Sequence, residues 1–397
     1  MSLTYKDISI ILNNQIMKNA TGDNAGTIIA EDLSNLVEVG KVVNGSNAID
    51  MRNALNNLVV GIHNFVLARE IETRQFKLFR TKEDYGGGIQ RIMASRFSDA
   101  HSTAYHNLQS GTDYTDGKFY GTDANAVVLE GTEDFKVAVS YSEDFYSTWF
   151  SNRDELAKWA NLVAITEKNT IKSKLYELEK RIIVKIVAEC VTDNRKIVLI
   201  DMFNAMEGRT VSADGSNVAT LTNNIKWTLS ELKKYREEFA YFTSFCKECI
   251  ANIIDYVKEP NKKYNDGTVL TYAPTSKIGV VMLTNFANDI KYLSTPVEFN
   301  PVNIEFETIP YWQSGGTAML PTYETTATIK VKNSDSDITN NNVVGLIYDI
   351  EGAGICLVDD SVSYKAVPEE KFGTTFHFIS NKYYVDKRLS AVAIVLE

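Results

Sequence analysis

SNRDELAKWANLVAITEKNTIKSKLYELEKRIIVKIVAEC, residues 151–190, is the stretch around which the rest of the chain is organised. Apolar residues recur there at helical spacing: Leu156, Trp159, Ala160 and Val163, then Ile171, Leu175, Leu178, Ile182, Ile186 and Cys190. No Gly or Pro falls between Gly131 and Gly208, so nothing local breaks a helix. Ser151, with Asp154 three residues on, has the form of a capping box that satisfies free N–H groups at a helix start. The pattern predicts one long helix, or two in tandem with a polar break near Asn169.

Working outward, residues 134–141 (DFKVAVSY) alternate through Phe135, Val137, Val139 and Tyr141, the pattern of a half-buried strand. Residues 74–81 (RQFKLFRT) alternate more weakly, with Phe76 and Leu78 on one side. Between them lie about fifty residues containing Gly86, Gly87, Gly88, Gly111, Gly117, Gly121 and Gly131; a structureless loop that long is out of place in a compact domain. A long two-stranded excursion fits better. An isolated hairpin is only marginally stable in water, so the excursion implies a partner surface and hence assembly.

Further upstream, Thr4 and Asp7 offer a second capping box ahead of Ile8, Ile11, Leu12 and Ile16. Residues 19–47 read as a loop or extended arm, and Met51, Leu55, Leu58, Ile62 and Phe65 as one face of a firmer helix. Downstream, the pattern predicts a short strand at Ile197–Ile200, a loop at 208–224, a helix at Ser230–Asp255, a buried strand at Lys277–Leu283 and a short helix at Asn285–Leu293. Residues 303–312 alternate, and 313–342 read as an exposed hairpin or loop. Strands then follow at Val343–Tyr348, Gly354–Val358, Ser361–Val367, Thr374–Tyr384 and Ser390–Leu396. The layout is α+β.

The chain has 397 residues, enough for two or three domains or one elaborate one, with 44% hydrophobic and 23% charged residues, as in ordinary folded proteins. A net charge of −10 argues against gripping nucleic acid through general electrostatics. The N-terminus lacks a basic region followed by an apolar run, and no window approaches the ~20 apolar residues of a membrane span. No membrane partner is expected. Four cysteines are too few for a disulfide-stapled fold.

The candidates for chemistry fail one by one. Cys246 and Cys249 have CxxC spacing but lack two further zinc ligands, and they lie late in a helical pattern rather than at a helix start. His101 and His106 sit in a polar loop near Asp99 and Asp113, where solvated histidines are the plainer reading. His63 and His377 read as packing or surface residues. Gly86–Gly88 lack the residues of a phosphate loop. Glu369–Glu370 and Asp359–Asp360 look like solvated turns. Lys172, Lys174, Lys180, Arg181 and Lys185, interleaved with Glu177 and Glu179, read as an exposed ion-paired face, with contact to DNA phosphates as the alternative. No catalytic, cofactor-binding or metal-ligating set is expected.

The order of elements, an arm and helix, a protruding hairpin whose return strand enters a long helix, a mixed region and terminal strands, resembles the major capsid protein of tailed bacteriophages with the Hong Kong 97 type fold. Two stretches carry a similarity to coat proteins of small short-tailed phages of the phi-twenty-nine kind: GLIYDIEGAGICLVDDSVSYKAV (345–367) and FGTTFHFISNKYYVDKRLSAVAIV (372–395). KIGVVMLTNFANDIKYL (277–293) resembles the strand and helix that lead into the later A-domain. The resemblance runs from about Met51 to Glu397.

The resemblance implies an N-terminal arm and helix at 1–70 and an extended E-loop hairpin with flanking strands at 71–147. It implies a spine helix of the P-domain at 148–195, an A-domain with inserted loops at 196–358, and terminal P-domain strands at 359–397. It also implies a non-enzymatic subunit that assembles as pentamers and hexamers into an icosahedral or prolate head shell, in the host cytoplasm and then the virion. Scaffold, portal and decoration proteins would be partners, with double-stranded DNA touched non-specifically. No immunoglobulin-like module is expected after the last strand, and no isopeptide pair is identified. The alternatives are an enzyme of unrecognised class, centred on His101 and His106, or a particle-borne binding or adhesion module.

Overall fold

The structure is a computed structural model that describes residues 3–15, 29–38, 58–67, 76–82, 89–94, 124–129, 131–142, 152–293, 306–312, 327–332, 337–340, 342–367 and 372–397. The first helix, α1 (Tyr5–Gln15), begins with the expected capping box: the Thr4 and Asp7 backbone N–H groups each donate to the other's side chain, at 3.0 and 3.2 Å. Residues 58–67 form α2; the start expected for this helix, 51–57, lies outside the described residues. Four strands follow: β1 (Phe79–Lys82), β2 (Ile89–Ala94), β3 (Ala124–Leu129) and β4 (Thr132–Ser142).

The 151–190 stretch resolves into one unbroken helix, α3 (Arg153–Thr192), 40 residues long and therefore about 60 Å from end to end. There is no break at Asn169. The cap is Asn152 rather than Ser151; its side chain accepts from the Asp154 N–H at 2.9 Å. The two halves of α3 are buried differently. From Leu156 to Leu175 one stripe is covered, through Ala160, Val163, Ala164 and Ile171. From Leu178 to Cys190 the covered positions include the runs 182–184 and 186–188, which at 100° per residue go round most of the circumference.

After α3 come β5 (Lys196–Val198), α4 (Leu199–Met206), α5 (Leu229–Leu232), α6 (Arg236–Lys258), β6 (Ile278–Leu283), α7 (Thr284–Leu293) and β7 (Glu307–Ile309). The strand expected at Ile197–Ile200 therefore stops at Val198, where its pairing ends and α4 begins. The helix expected over Ser230–Asp255 is interrupted. Thr228 and Glu231 cap the short α5, and Tyr235 is extended, with its ring edge-on to Trp227 at 5.6 Å. In the 208–224 loop, Arg209 Nη1 donates to the carbonyls of Thr220, Asn223 and Ile225 at 3.0–3.1 Å, which orders it without regular structure.

The remaining strands are β8 (Ile329–Lys332), β9 (Asp337–Asn340), β10 (Val343–Asp349), β11 (Ala353–Val367), β12 (Phe372–Val385) and β13 (Ala391–Val395). The two strands expected at Gly354–Val358 and Ser361–Val367 are one. A register shift between Leu357 and Asp359 takes up an extra residue, so the Asp359–Asp360 pair lies within a strand rather than a turn.

Two larger sheets result, in the order β1-β11-β12-β4 and β5-β13-β10-β6-β7, beside the two-stranded pairs β2–β3 and β8–β9. In the first, β1 is parallel to β11, while β11–β12 and β12–β4 are antiparallel. In the second, β10 is antiparallel to both β13 and β6, and the outer pairs are parallel. The last strands of the chain are thus divided: β12 stays in the first sheet and β13 enters the second. Where the chain crosses between sheets, Asp386 N–H donates to Gly352 O at 2.7 Å and Asp349 N–H to Ser390 O at 2.8 Å. Arg388 Nη2 donates to Asp386 at 2.9 Å inside this corner.

Each half of α3 has its own core. Its C-terminal half packs with the second sheet, α4, α6 and α7, in a cluster that includes Trp227, Phe242 and Val281. Its N-terminal half packs with α1, α2, residues 29–36 and the inner face of the first sheet, through Val137, Leu357 and Ile379. On β4 the alternation read from sequence holds: Val137 is buried, Phe135 and Val139 half-buried, and Asp134, Lys136, Ala138 and Ser140 exposed. Val137→Asp should therefore cost at least about 3 kcal/mol, because a carboxylate would replace a methyl pair in this core. Urea unfolding checks this, and an unchanged midpoint would mean that β4 does not face inward.

Candidate functional site

Two features are unlike the rest of the fold. The first is the ribbon β2–β3, paired antiparallel from Ile89↔Leu129 to Ala94↔Ala124 and hydrogen-bonded to neither sheet. It occupies the place where the glycine-rich excursion was expected. Two residues separate it from β4, which runs beside β12 into the stretch before α3.

The second is a cluster in the core around the N-terminal half of α3. His63 on α2, Glu167 on α3 and His377 on β12 are all fully buried. Glu167 Oε1 lies 3.3 Å from His377 Nε2, and Glu167 Oε2 lies 3.8 Å from His63 Nδ1. The two imidazole centroids are 3.8 Å apart, tilted by 32°. None of the six polar atoms of these side chains has a hydrogen-bond partner. Each such buried group costs about 1–3 kcal/mol when unsatisfied. Among the described residues, this is the group of His, Cys, Asp and Glu side chains placed to share one ion, with donor atoms all within 4.8 Å of one another.

The apolar surroundings set the protonation states. Burial pushes His63 down to about 4; burial, and then the neighbouring His63, push His377 down to about 3. Burial pushes Glu167 up to about 8. At neutral pH the trio is two neutral imidazoles and a protonated carboxyl.

The sequence reading left His63 and His377 as packing or surface residues; both are in the interior with their rings in contact, so of the two alternatives packing holds. The signals were present in retrospect. Glu167 interrupts the apolar stripe Ala160–Val163–Ala164–Ile171, and His377 lies between Thr375 and Ile379 on the inward-facing alternation of β12. The meeting of the three was not legible, because they come from elements more than a hundred residues apart.

The other candidates resolve differently. Cys246 and Cys249 are buried mid-way along α6 as free thiols; burial raises Cys249 to about 11 and holds Cys246 well above the usual thiol value, so neither is a ready thiolate. His101, His106, Asp99, Asp113, Gly86–Gly88 and Glu369–Glu370 lie outside the described residues. On α3, Lys174 pairs with Glu177 at 2.9 Å and Arg181 with Glu133 at 2.6 Å. Lys180 sits 3.6 Å over the Tyr311 ring, and burial lowers it to about 8. Glu179 is not on an exposed face: it is buried in an ion pair with Arg80 of β1. None of the helices in the described residues is long and apolar enough to cross a membrane.

No protein-family model matches the chain, and no curated protein does. Among solved structures, it is similar to a chain in the capsid structure of Staphylococcus phage Andhra, with 11% identity and a TM-score of 0.46 over 80% of this chain and 83% of that one. It is similar to a chain of the mature capsid of bacteriophage PhiM1, with 9% identity and a TM-score of 0.35 over 80% and 84%. A chain from Mycobacterium phage Cain gives 9% identity and a TM-score of 0.38 over 84% and 90%.

The buried trio generates a pH signature. His63 and His377 are protonated less readily folded than unfolded, so their contribution is intact above pH 6.5 and lost as pH falls toward about 4 and 3. Glu167 is the reverse: its contribution is intact below pH 4.5 and lost as pH rises through about 8. In protein freed of metal by chelation, the thermal midpoint of wild type relative to Glu167→Gln should therefore fall between pH 5 and 8, and a flat difference would contradict a buried, protonated Glu167.

Proposed function

We propose that the chain is the structural subunit of a tailed-bacteriophage head shell, icosahedral or prolate, that encloses double-stranded DNA. The observation that carries this reading is the β2–β3 ribbon. It is paired only with itself, joined to the body next to β4 and followed by the 40-residue α3. Two strands alone are marginally stable, so a ribbon of this kind gains its order by lying on a neighbouring copy, which couples folding to assembly. The two sequence stretches at 345–367 and 372–395 supply the resemblance to capsid proteins, and to the phi-twenty-nine kind within them.

In this reading the ribbon within 71–147 is the E-loop, 1–70 the arm and 148–195 the spine. Residues 196–358 form the A-domain around pentamer and hexamer axes, with 359–397 completing the P-domain; two strands depart from that division, β13 pairing back into the 196–358 sheet and residues 353–358 of β11 pairing with β1 and β12. Exposed apolar side chains lie on several elements, among them Leu162 and Ile165 of α3 and Met202, Met206, Leu221 and Tyr241 of the 196–358 region. They suit contacts between copies. The role is mechanical rather than enzymatic. Scaffold and portal proteins are the expected partners during assembly, decoration proteins afterwards, and DNA is touched non-specifically. The net charge of −10 keeps the genome from adhering to its container.

Negative-stain electron microscopy and size-exclusion chromatography test the reading. Closed shells, sheets or tubes are expected, or pentamers and hexamers that close with a scaffold; a monomer at every concentration, with coexpressed scaffold included, would count against it. Replacing residues 82–130 with a short turn should leave a folded core and abolish large assemblies. Complete shells from the trimmed chain would show that the ribbon is not an assembly element.

A further inference from the structure

The six polar atoms of His63, Glu167 and His377 are buried without hydrogen-bond partners in the part of the fold where Ile62, Val66, Ile171 and Ile379 belong to the apolar core. Three protein elements meet there, and they bring two imidazoles and one carboxylate to one point. We propose that this trio is a structural binding site for a divalent zinc ion that clamps α2 to α3 and β12.

Three observations converge on this assignment. The first is the donor set: imidazole nitrogens with a carboxylate suit zinc and its first-row neighbours, whereas calcium and magnesium require mostly oxygen ligands. The second is spacing. Zinc held at about 2.0–2.1 Å by each ligand places tetrahedral ligand atoms about 3.4 Å apart. The carboxylate oxygens lie 3.3 and 3.8 Å from the ring nitrogens they face. The third is satisfaction. Each oxygen of Glu167 faces a different histidine, and none of these atoms is otherwise hydrogen-bonded, so one cation would engage both imidazoles and one or both oxygens.

Binding requires neutral imidazoles, the form the apolar pocket already favours. Zinc entering the cluster displaces the Glu167 proton to solvent, so the exchange balances as one ion in and one proton out. The result is a tie between α2, upstream of the ribbon, and the helix and strand of the body. Every ligand belongs to a single copy of the chain. The clamp therefore stands whether or not copies assemble into shells, and the test uses the unassembled full chain.

The experiment is elemental analysis of protein purified without metal-affinity resin, before and after equilibration with Zn²⁺, together with thermal melts with and without EDTA. About one zinc per chain is expected, with chelation lowering the thermal midpoint by roughly 5 °C. Glu167→Gln and His377→Phe should both lose the ion. No stoichiometric zinc even after equilibration, with melts indifferent to EDTA, would overturn the proposal. Equal binding by both variants would also overturn it, by placing the ion elsewhere. If the variants fail to fold, Co²⁺ in the wild-type chain decides. An intense visible spectrum of a low-coordinate nitrogen and oxygen site is expected, and the faint spectrum of octahedral, water-bound Co²⁺ would overturn the assignment.

Discussion

The covering of α3 is the constraint on which the rest of the structure depends. A 40-residue helix is far too long for one small core, and its two halves solve the problem differently. The C-terminal half, with Ile182, Ile183, Val184, Ile186 and Val187 all buried, needs protein on most sides. The second sheet, α4, α6 and α7 supply it. At roughly 1.5–3 kcal/mol for each buried aliphatic side chain, this one segment holds a large share of that core's stabilisation. The N-terminal half needs cover on one face only, and the first sheet with α1 and α2 provides that.

One rigid rod therefore belongs to two cores. Between the sheets, the chain crosses twice at the corner around Gly352 and Asp386, where backbone hydrogen bonds and the buried Asp386–Arg388 pair fix the geometry. Bending α3 would disturb both cores together.

The buried polar groups are placed where elements distant in sequence meet. Arg80 and Glu179 join β1 to α3, and His63, Glu167 and His377 join α2, α3 and β12. Desolvation offsets much of the attraction in such a pair, so its effect is to specify which surfaces meet rather than to add greatly to stability. A slipped register in β12 would move His377 to the other face of its strand and strand Glu167 in an apolar pocket.

The sequence by itself determined most of the elements. The absence of Gly and Pro from 132–207 with apolar spacing dictates α3, the alternation in 134–141 dictates β4, and Thr4 with Asp7 dictates the start of α1. These are local signals, carried by backbone propensity and side-chain period. Of the glycine-rich excursion, the described residues show the antiparallel pairing of 89–94 with 124–129, which agrees with a two-stranded reading of that stretch. What only the tertiary structure decided is pairing and meeting: that β13 leaves its neighbour β12 to join β5 and β10, that Asp359–Asp360 lie within a bulged strand, and that two histidines and a glutamate converge. Fully buried strands such as β6, β10 and β13 carry no alternation to reveal a partner. A contact between residues 63, 167 and 377 has no period at all, because it is set by how the layers pack and not by anything within one element.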